Sequence, residues 1–232
     1  MFSGQIESTA VPAELACGAA AGPCFVGAFT AIGATRAAYE WRRHAVSSLA
    51  DGRGGWLQRA NFIVTGSLYC IAAHGLARSS RQTVGPRVVP LLTFGAGGGL
   101  ICSGLFVTDP VAGYPPSPSG HNQPDRTPPV VVSRAGRLHD LSAIPIFFGV
   151  PIAALTSATS AARRREYRWA SYSAGSAVAM MTTSVLFGAA FGGAPRVEAY
   201  GGVLQRVSIT AGFGWLSALS LRALRPARRA SS

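Results

Sequence analysis

The chain has 232 residues, of which 48% are hydrophobic and only 13% charged, with 28 glycines and a formal net charge of +12. Soluble domains average about 25% charged residues, so this composition argues against a water-soluble globule and points to lipid as the solvent. All 21 basic residues are arginines, and they flank apolar runs. That is the placement of membrane topology determinants rather than of a basic recognition face, and no nucleic-acid partner is expected.

A helix needs about 20 apolar residues to cross a bilayer core of about 30 Å, and six segments qualify. The first runs from about Glu14 to Thr35, behind an N-terminal tail over 1–13. It has no arginine before position 36 and is too long for the apolar region of a secretory signal, so it is expected to be retained. The loop that follows, "YEWRRHAVSSLADGRGGWLQRANF" (39–62), places Trp56 at headgroup level and Asn61 as the cap of the second span, Asn61 to Ala77. His74 sits about 20 Å along that helix from Asn61 at 1.5 Å per residue. It therefore belongs to the opposite membrane end, beside Arg78.

The third span, Val88 to Val107, runs into "TDPVAGYPP" and then "SPSGHNQPDRTPP", a Pro- and Ser-rich stretch that reads as a solvated connection. His121 lies there and is set aside as a site. The fourth span, Leu138 to Thr159, opens at "GRLHD". The fifth is Trp169 to Phe191 and the sixth Val203 to Leu221, within a membrane domain over 14–222 followed by a basic tail over 223–232. The expected fold is an all-α, six-helix transmembrane bundle. Kinks are tolerable at Pro23, Pro145 and Pro151 where neighbouring helices satisfy the freed carbonyls.

Eleven arginines fall on the side of the two termini, including the "RRR" run at 163–165, and ten on the other side, where six acids dilute them. Their density places both termini in the cytoplasm. Gly18-x-x-x-Gly22, Gly95-x-x-x-Gly99 and Gly188-x-x-x-Gly192 allow close helix approach, within the bundle or in a homo-oligomer. Cys17, Cys24, Cys70 and Cys102 lie in apolar runs without CxxC spacing and read as packing residues, not as a disulfide or zinc framework.

The first and third loops lie on the same membrane face whichever way the chain inserts, because an even number of spans separates them. Arg42, Arg43, His44, Ser47, Ser48, Asp51, Asp109, Arg137, His139, Asp140 and Arg206 can therefore converge at one surface. Several chemistries fit these residue types. Arg42, Arg43 and Arg137, with His44, Asp109, His139 and Asp140, would bind membrane lipid headgroups or a small anionic ligand, because guanidinium forks suit phosphate and carboxylate. A membrane-embedded hydrolase would use Ser47 or Ser48 as nucleophile, His44 or His139 as base and Asp109 or Asp140 as orienting acid, although no GxSxG-type elbow is present. A metal variant would take His44, Asp109, His139 and Asp140 as ligands, without an HExxH-type pair.

A purely structural reading uses the same residues. Asp109 closes a turn with Pro110, His139 and Asp140 cap the fourth helix, and Ser47 and Ser48 start a short interfacial helix. No cofactor is expected, since His74 has no second histidine at its depth for haem ligation, and no filter-like loop marks a channel.

The blocks "RRHAVSSLA…GGWLQRANFIVTG", "GLFVTDPVAGYPP", "SRAGRLHDLSAIPIF" and "LFGAAFGG…GGVLQRVSI", in this order and spacing, resemble the bacterial membrane family called domain of unknown function 998. The resemblance covers about residues 14 to 222. It implies a multi-pass protein of the cytoplasmic membrane and no assigned reaction. The family's recurrent positions fall here on His44, Ser47, Trp56, Asn61, Phe62, Asp109, Pro110, His139 and Asp140. Ala45 stands where many relatives have proline, which loosens the turn that carries His44.

Overall fold

A computed structural model describes residues 3–116 and 132–225, with side chains from Val11 onward. The connection around His121 and the tail beyond Arg225 lie outside the described residues. The described residues form eight α-helices: α1 (Ser3–Ala34), α2 (Trp56–Arg78), the one-turn α3 (Arg81–Val84), α4 (Val88–Leu105), α5 (Arg134–Ile144), α6 (Val150–Arg163), α7 (Tyr167–Phe191) and α8 (Gly201–Leu224). The described residues contain no strand, only an isolated bridge between Val111 and Tyr114. Among the described residues six helices are long and apolar enough to cross a membrane, the fourth formed by α5 and α6 together as Arg134–Arg163. The chain is a multi-pass membrane protein.

α5 and α6 are joined by a π-turn at Pro145–Gly149. Proline has no N–H to donate back along the ladder, so the helix admits one wide turn there and then continues. Pro23, by contrast, lies inside an unbroken α1. α1 also begins at Ser3, inside the segment expected to be a tail. α2 begins at Trp56, five residues before the expected start, so Asn61 is not its cap. Instead Asn61 Nδ2 donates to the Phe25 carbonyl (3.2 Å) and to Gln58 Oε1 (3.3 Å), tying α2 to α1. His139 and Asp140 likewise sit inside α5. The cap is Ser133, whose hydroxyl accepts the Gly136 N–H at 2.9 Å.

The spans follow one another around a closed ring, each packing on its sequence neighbours, with α8 closing back onto α1. Lipid supplies no hydrophobic drive between helices, so the ring is held by close approach and polar contacts. A side chain at Gly22 would lie 2.8 Å from the Phe213 carbonyl of α8, and one at Gly97 would lie 2.7 Å from the Gly66 carbonyl of α2. Gly18 and Gly99 are as tightly enclosed, so two of the three Gly-x-x-x-Gly motifs work inside the bundle. Gly188 of the third meets nothing within 4 Å. A buried hydrogen bond from Trp215 to Ser173 (2.9 Å) and a half-buried one between Ser184 and Ser208 (2.8 Å) lock α8 to α7. The centre is filled by Phe25, Tyr69 and Phe213, with ring centroids 5.3 Å apart for Phe25–Phe213 and 5.2 Å for Tyr69–Phe213.

Candidate functional site

The membrane end bearing the first, third and last helix connections is called the loop face here, and the opposite end the terminal face. Two arginines fold the first connection onto the bundle through backbone carbonyls. Arg36 donates to the carbonyls of Leu49 (2.8 Å), Asp51 (3.3 Å) and Arg53. Arg206, one turn into α8, donates to those of Trp41 (2.7 Å), His44 (3.3 Å) and Gly202 (2.9 Å), and to the Tyr39 hydroxyl (2.6 Å). The sharp reversal "DGRGGW" uses left-handed backbone at Gly52 (φ +67°) and Gly54 (φ +83°), where a side chain would be strained. The result is a roof that carries a short 3-10 helix, Ser47–Ala50, over the centre of the ring.

His44 pins this roof to the third connection. Its Nδ1 accepts the Glu40 N–H at 2.9 Å, which leaves the proton on Nε2, and the Ala112 backbone provides a second bond. Its ring packs 5.1 Å from Tyr114 and 5.7 Å from Tyr39. Burial chiefly, then the neighbouring Arg43 and Arg206 charges, hold the imidazole below the usual histidine pKa against the opposing pull of Glu40. Burial likewise pushes Tyr39 up, so its hydroxyl stays protonated and donates to the Ala45 carbonyl at 3.0 Å. Asp109 does comparable work on the fourth span. Its carboxylate accepts the Ser133 N–H at 2.9 Å at the positive end of α5, with Gly136 so close that any side chain there would overlap it.

Beneath the roof is a cavity of about 380 Å³ lined from all six spans. Its walls are mainly apolar, with Phe25, Phe62, Phe147, Phe187, Phe191 and Phe213 contributing rings. Below it the ring centre is solid, since Tyr69, Met180 and Trp215 are fully buried. The cavity is therefore blind toward the terminal face. Its polar groups are few, and each has a defined hydrogen-bonding state. His139 Nδ1 lies 2.8 Å from the Phe106 carbonyl; a carbonyl can only accept, so Nδ1 carries a proton, and Nε2 has no hydrogen-bond partner among the described residues. Ser142 spends its proton on the His139 carbonyl (2.6 Å), so Ser103 donates to Ser142 (2.7 Å) and keeps lone pairs free at the cavity wall. Gln205 Oε1 accepts the Val46 N–H of the roof at 2.7 Å, which leaves its amide N–H groups unspent. Ser47 and Asp140 line the same space, and their side chains make no hydrogen bond among the described residues.

This geometry separates the residues that the sequence placed together. His139, Asp140 and Ser47 line the cavity, whereas His44 and Asp109 do not. No Ser47–His139 or Ser48–His44 hydrogen bond is formed among the described residues, so the serine–histidine–acid arrangement is not assembled in this state. No group of three or more His, Cys, Asp or Glu side chains among the described residues could hold a metal ion, so the set His44, Asp109, His139, Asp140 is not a ligand sphere. The arginines are elsewhere as well: Arg43 pairs with Glu198 (2.8 Å), Arg42 lies 5.4 Å over the Tyr200 ring, and Arg137 is exposed.

Residues 19–222, nearly the whole chain, match the family described as Protein of unknown function (DUF998). The chain belongs to the DUF998 family. No curated protein and no solved structure matches it. The sequence blocks that carry the DUF998 resemblance thus divide into two groups here: His44 and Arg206 hold the roof and Asp109 the start of α5, while Ser47, His139, Asp140 and Gln205 face the cavity. Gln205 was missed as a site residue, although an amide inside an apolar run is a signal that membrane energetics makes readable. Ser103 and Ser142 carried no such signal, because serines in membrane helices commonly bond back to their own helix.

Proposed function

We propose that this DUF998 protein binds an amphiphile in the cavity beneath its roof, with the polar end at His139, Asp140, Ser47 and Gln205 and the apolar body among the phenylalanines. The supporting observation is the uncommitted Nε2 of His139 at the wall of a blind, largely apolar chamber. A volume of about 380 Å³ suits a small-ligand pocket, for which about 300–1,000 Å³ is usual. Among the described residues the lining contains no arginine and does contain the Asp140 carboxylate, so it favours a neutral hydrogen-bonding head over a phosphate or other anion. A route from the bilayer has support too. α7 packs chiefly on α6 and α8, and the cavity residues Asp140, Ala143 and Phe147 of the fourth span face Phe187, Gly188 and Phe191 of α7. The Phe147 and Phe187 rings meet edge-on at 4.9 Å.

The same reading places the protein in a cell membrane with both termini in the cytoplasm. Among the described side chains the terminal face carries nine arginines against Glu14 and Glu166, while the loop face carries nine against five acids. The less neutralised end belongs inside. Native mass spectrometry of the wild-type chain in mild detergent, alongside Ala143→Phe, tests the cavity. The expected result is a bound amphiphile on the wild type that is absent from a folded Ala143→Phe. Identical spectra for the two proteins would refute the reading.

A further inference from the structure

The terminal face holds a second feature, independent of the cavity. Between α7 and α8 lies a groove of about 300 Å³ lined by Trp169, Tyr172, Ala218, Leu221, Arg222 and Arg225. Arg222 is fixed in it. Its Nε–H donates to the Thr83 carbonyl at 3.1 Å, Nη2 donates to Glu166, and the guanidinium lies 5.0 Å over the Trp169 ring. The Trp169 indole is itself held, donating to Ser157 Oγ at 3.0 Å. Nη1 of Arg222 makes no hydrogen bond among the described residues, so its two N–H donors remain unspent on a side chain that is otherwise held in place. Glu166, the acid at this turn, is divided between Arg222 and Arg164 (3.2 Å). Arg163, Arg165, Arg168 and Arg225 make no ion pair among the described residues.

We infer that this groove is a binding site for an anionic glycerophospholipid, with its phosphate on Arg222 and Arg225 and an acyl chain along Ala218 and Leu221. The charge at the rim calls for an anion, and guanidinium forks match phosphate oxygens. The floor is apolar and sits at the end of two membrane spans, so the anion arrives attached to a hydrocarbon. Trp169 and Tyr172 form the amphipathic wall expected at headgroup depth. Basic pockets between helices are a recurrent solution for such headgroups.

The full chain, carrying Trp41→Phe and Trp56→Phe, is reconstituted in phosphatidylcholine vesicles containing either brominated phosphatidylglycerol or brominated phosphatidylcholine at equal mole fraction. Both replaced tryptophans are at the loop face and exposed, whereas Trp215 is fully buried, so quenching reports on Trp169. The expected result is at least two-fold stronger quenching by the anionic lipid, saturating with its mole fraction. Arg225→Gln removes that preference and leaves quenching by brominated phosphatidylcholine unchanged. Arg225 makes no ion pair or side-chain hydrogen bond among the described residues, so this variant keeps the fold that Arg222→Gln would endanger. Equal quenching by the two lipids means ordinary boundary lipid and overturns the inference, as does a preference that survives Arg225→Gln.

Discussion

Replacing Gln205 with methionine should loosen the roof over the cavity without unfolding the bundle. Gln205 reaches from α8 to the Val46 N–H across 159 residues of sequence, at 2.7 Å. Val46 is 1% exposed and Gln205 7%, so bulk solvent does not reach the N–H to replace the lost acceptor. Methionine keeps the length of the side chain and removes the carbonyl, and leaving a buried N–H unpaired costs about 1–3 kcal/mol. Arg36 and Arg206 still hold the rest of the loop, so the cost falls on local opening. At a factor of ten per 1.4 kcal/mol, amide exchange over residues 44–50 should accelerate about 5- to 150-fold. Amides in the middle of α2 and α4 should be unchanged. Hydrogen exchange read by mass spectrometry in detergent micelles measures both. Exchange over 44–50 equal to wild type would refute the assigned role of Gln205, and uniform acceleration through α2 and α4 would refute the roof as a separable unit.

The His44 latch predicts a pH dependence. Its folded pKa is below the usual histidine value of about 6.5, so the unfolded roof binds more protons in the window between them, and roof stability falls as pH drops below about 6.5. The exchange rate of residues 44–50 should rise between about pH 7 and pH 5, after correction for intrinsic exchange, and His44→Asn should flatten that rise; an unchanged slope in the variant would exclude His44 as its source. Close helix approach predicts a different sensitivity. Gly22→Val places a branched side chain against the Phe213 carbonyl and Ser217 of α8 and should destabilise the bundle by about 1–3 kcal/mol. Gly188→Val, which meets nothing within 4 Å, should cost much less, and thermal unfolding of the two variants side by side checks the order.

Much of the architecture was legible in the residues. Six apolar runs, their flanking arginines and the loop lengths determine a six-span bundle with sequential neighbours, because a bilayer allows few other ways to satisfy a backbone. Helix ends were less legible. α2 starts at Trp56 and α5 at Arg134 because local hydrogen bonding extends a helix into polar sequence that hydropathy assigns to a loop. The grouping of polar residues at one face was also readable, since it follows from topology by parity. Which of them share a space was not. His44 and His139 lie at the same membrane face in similar sequence surroundings, yet one has its ring nitrogens bound to the backbone of two loops and the other presents Nε2 to a cavity. That division depends on side-chain direction and on the closure of α8 against α1, which brings Gln205 and Arg206 to the roof from the far end of the chain. Such long-range contacts leave no periodic trace in a single sequence, so composition and topology decided the solvent and the fold, and tertiary packing alone decided which polar groups hold the structure and which remain free for a ligand.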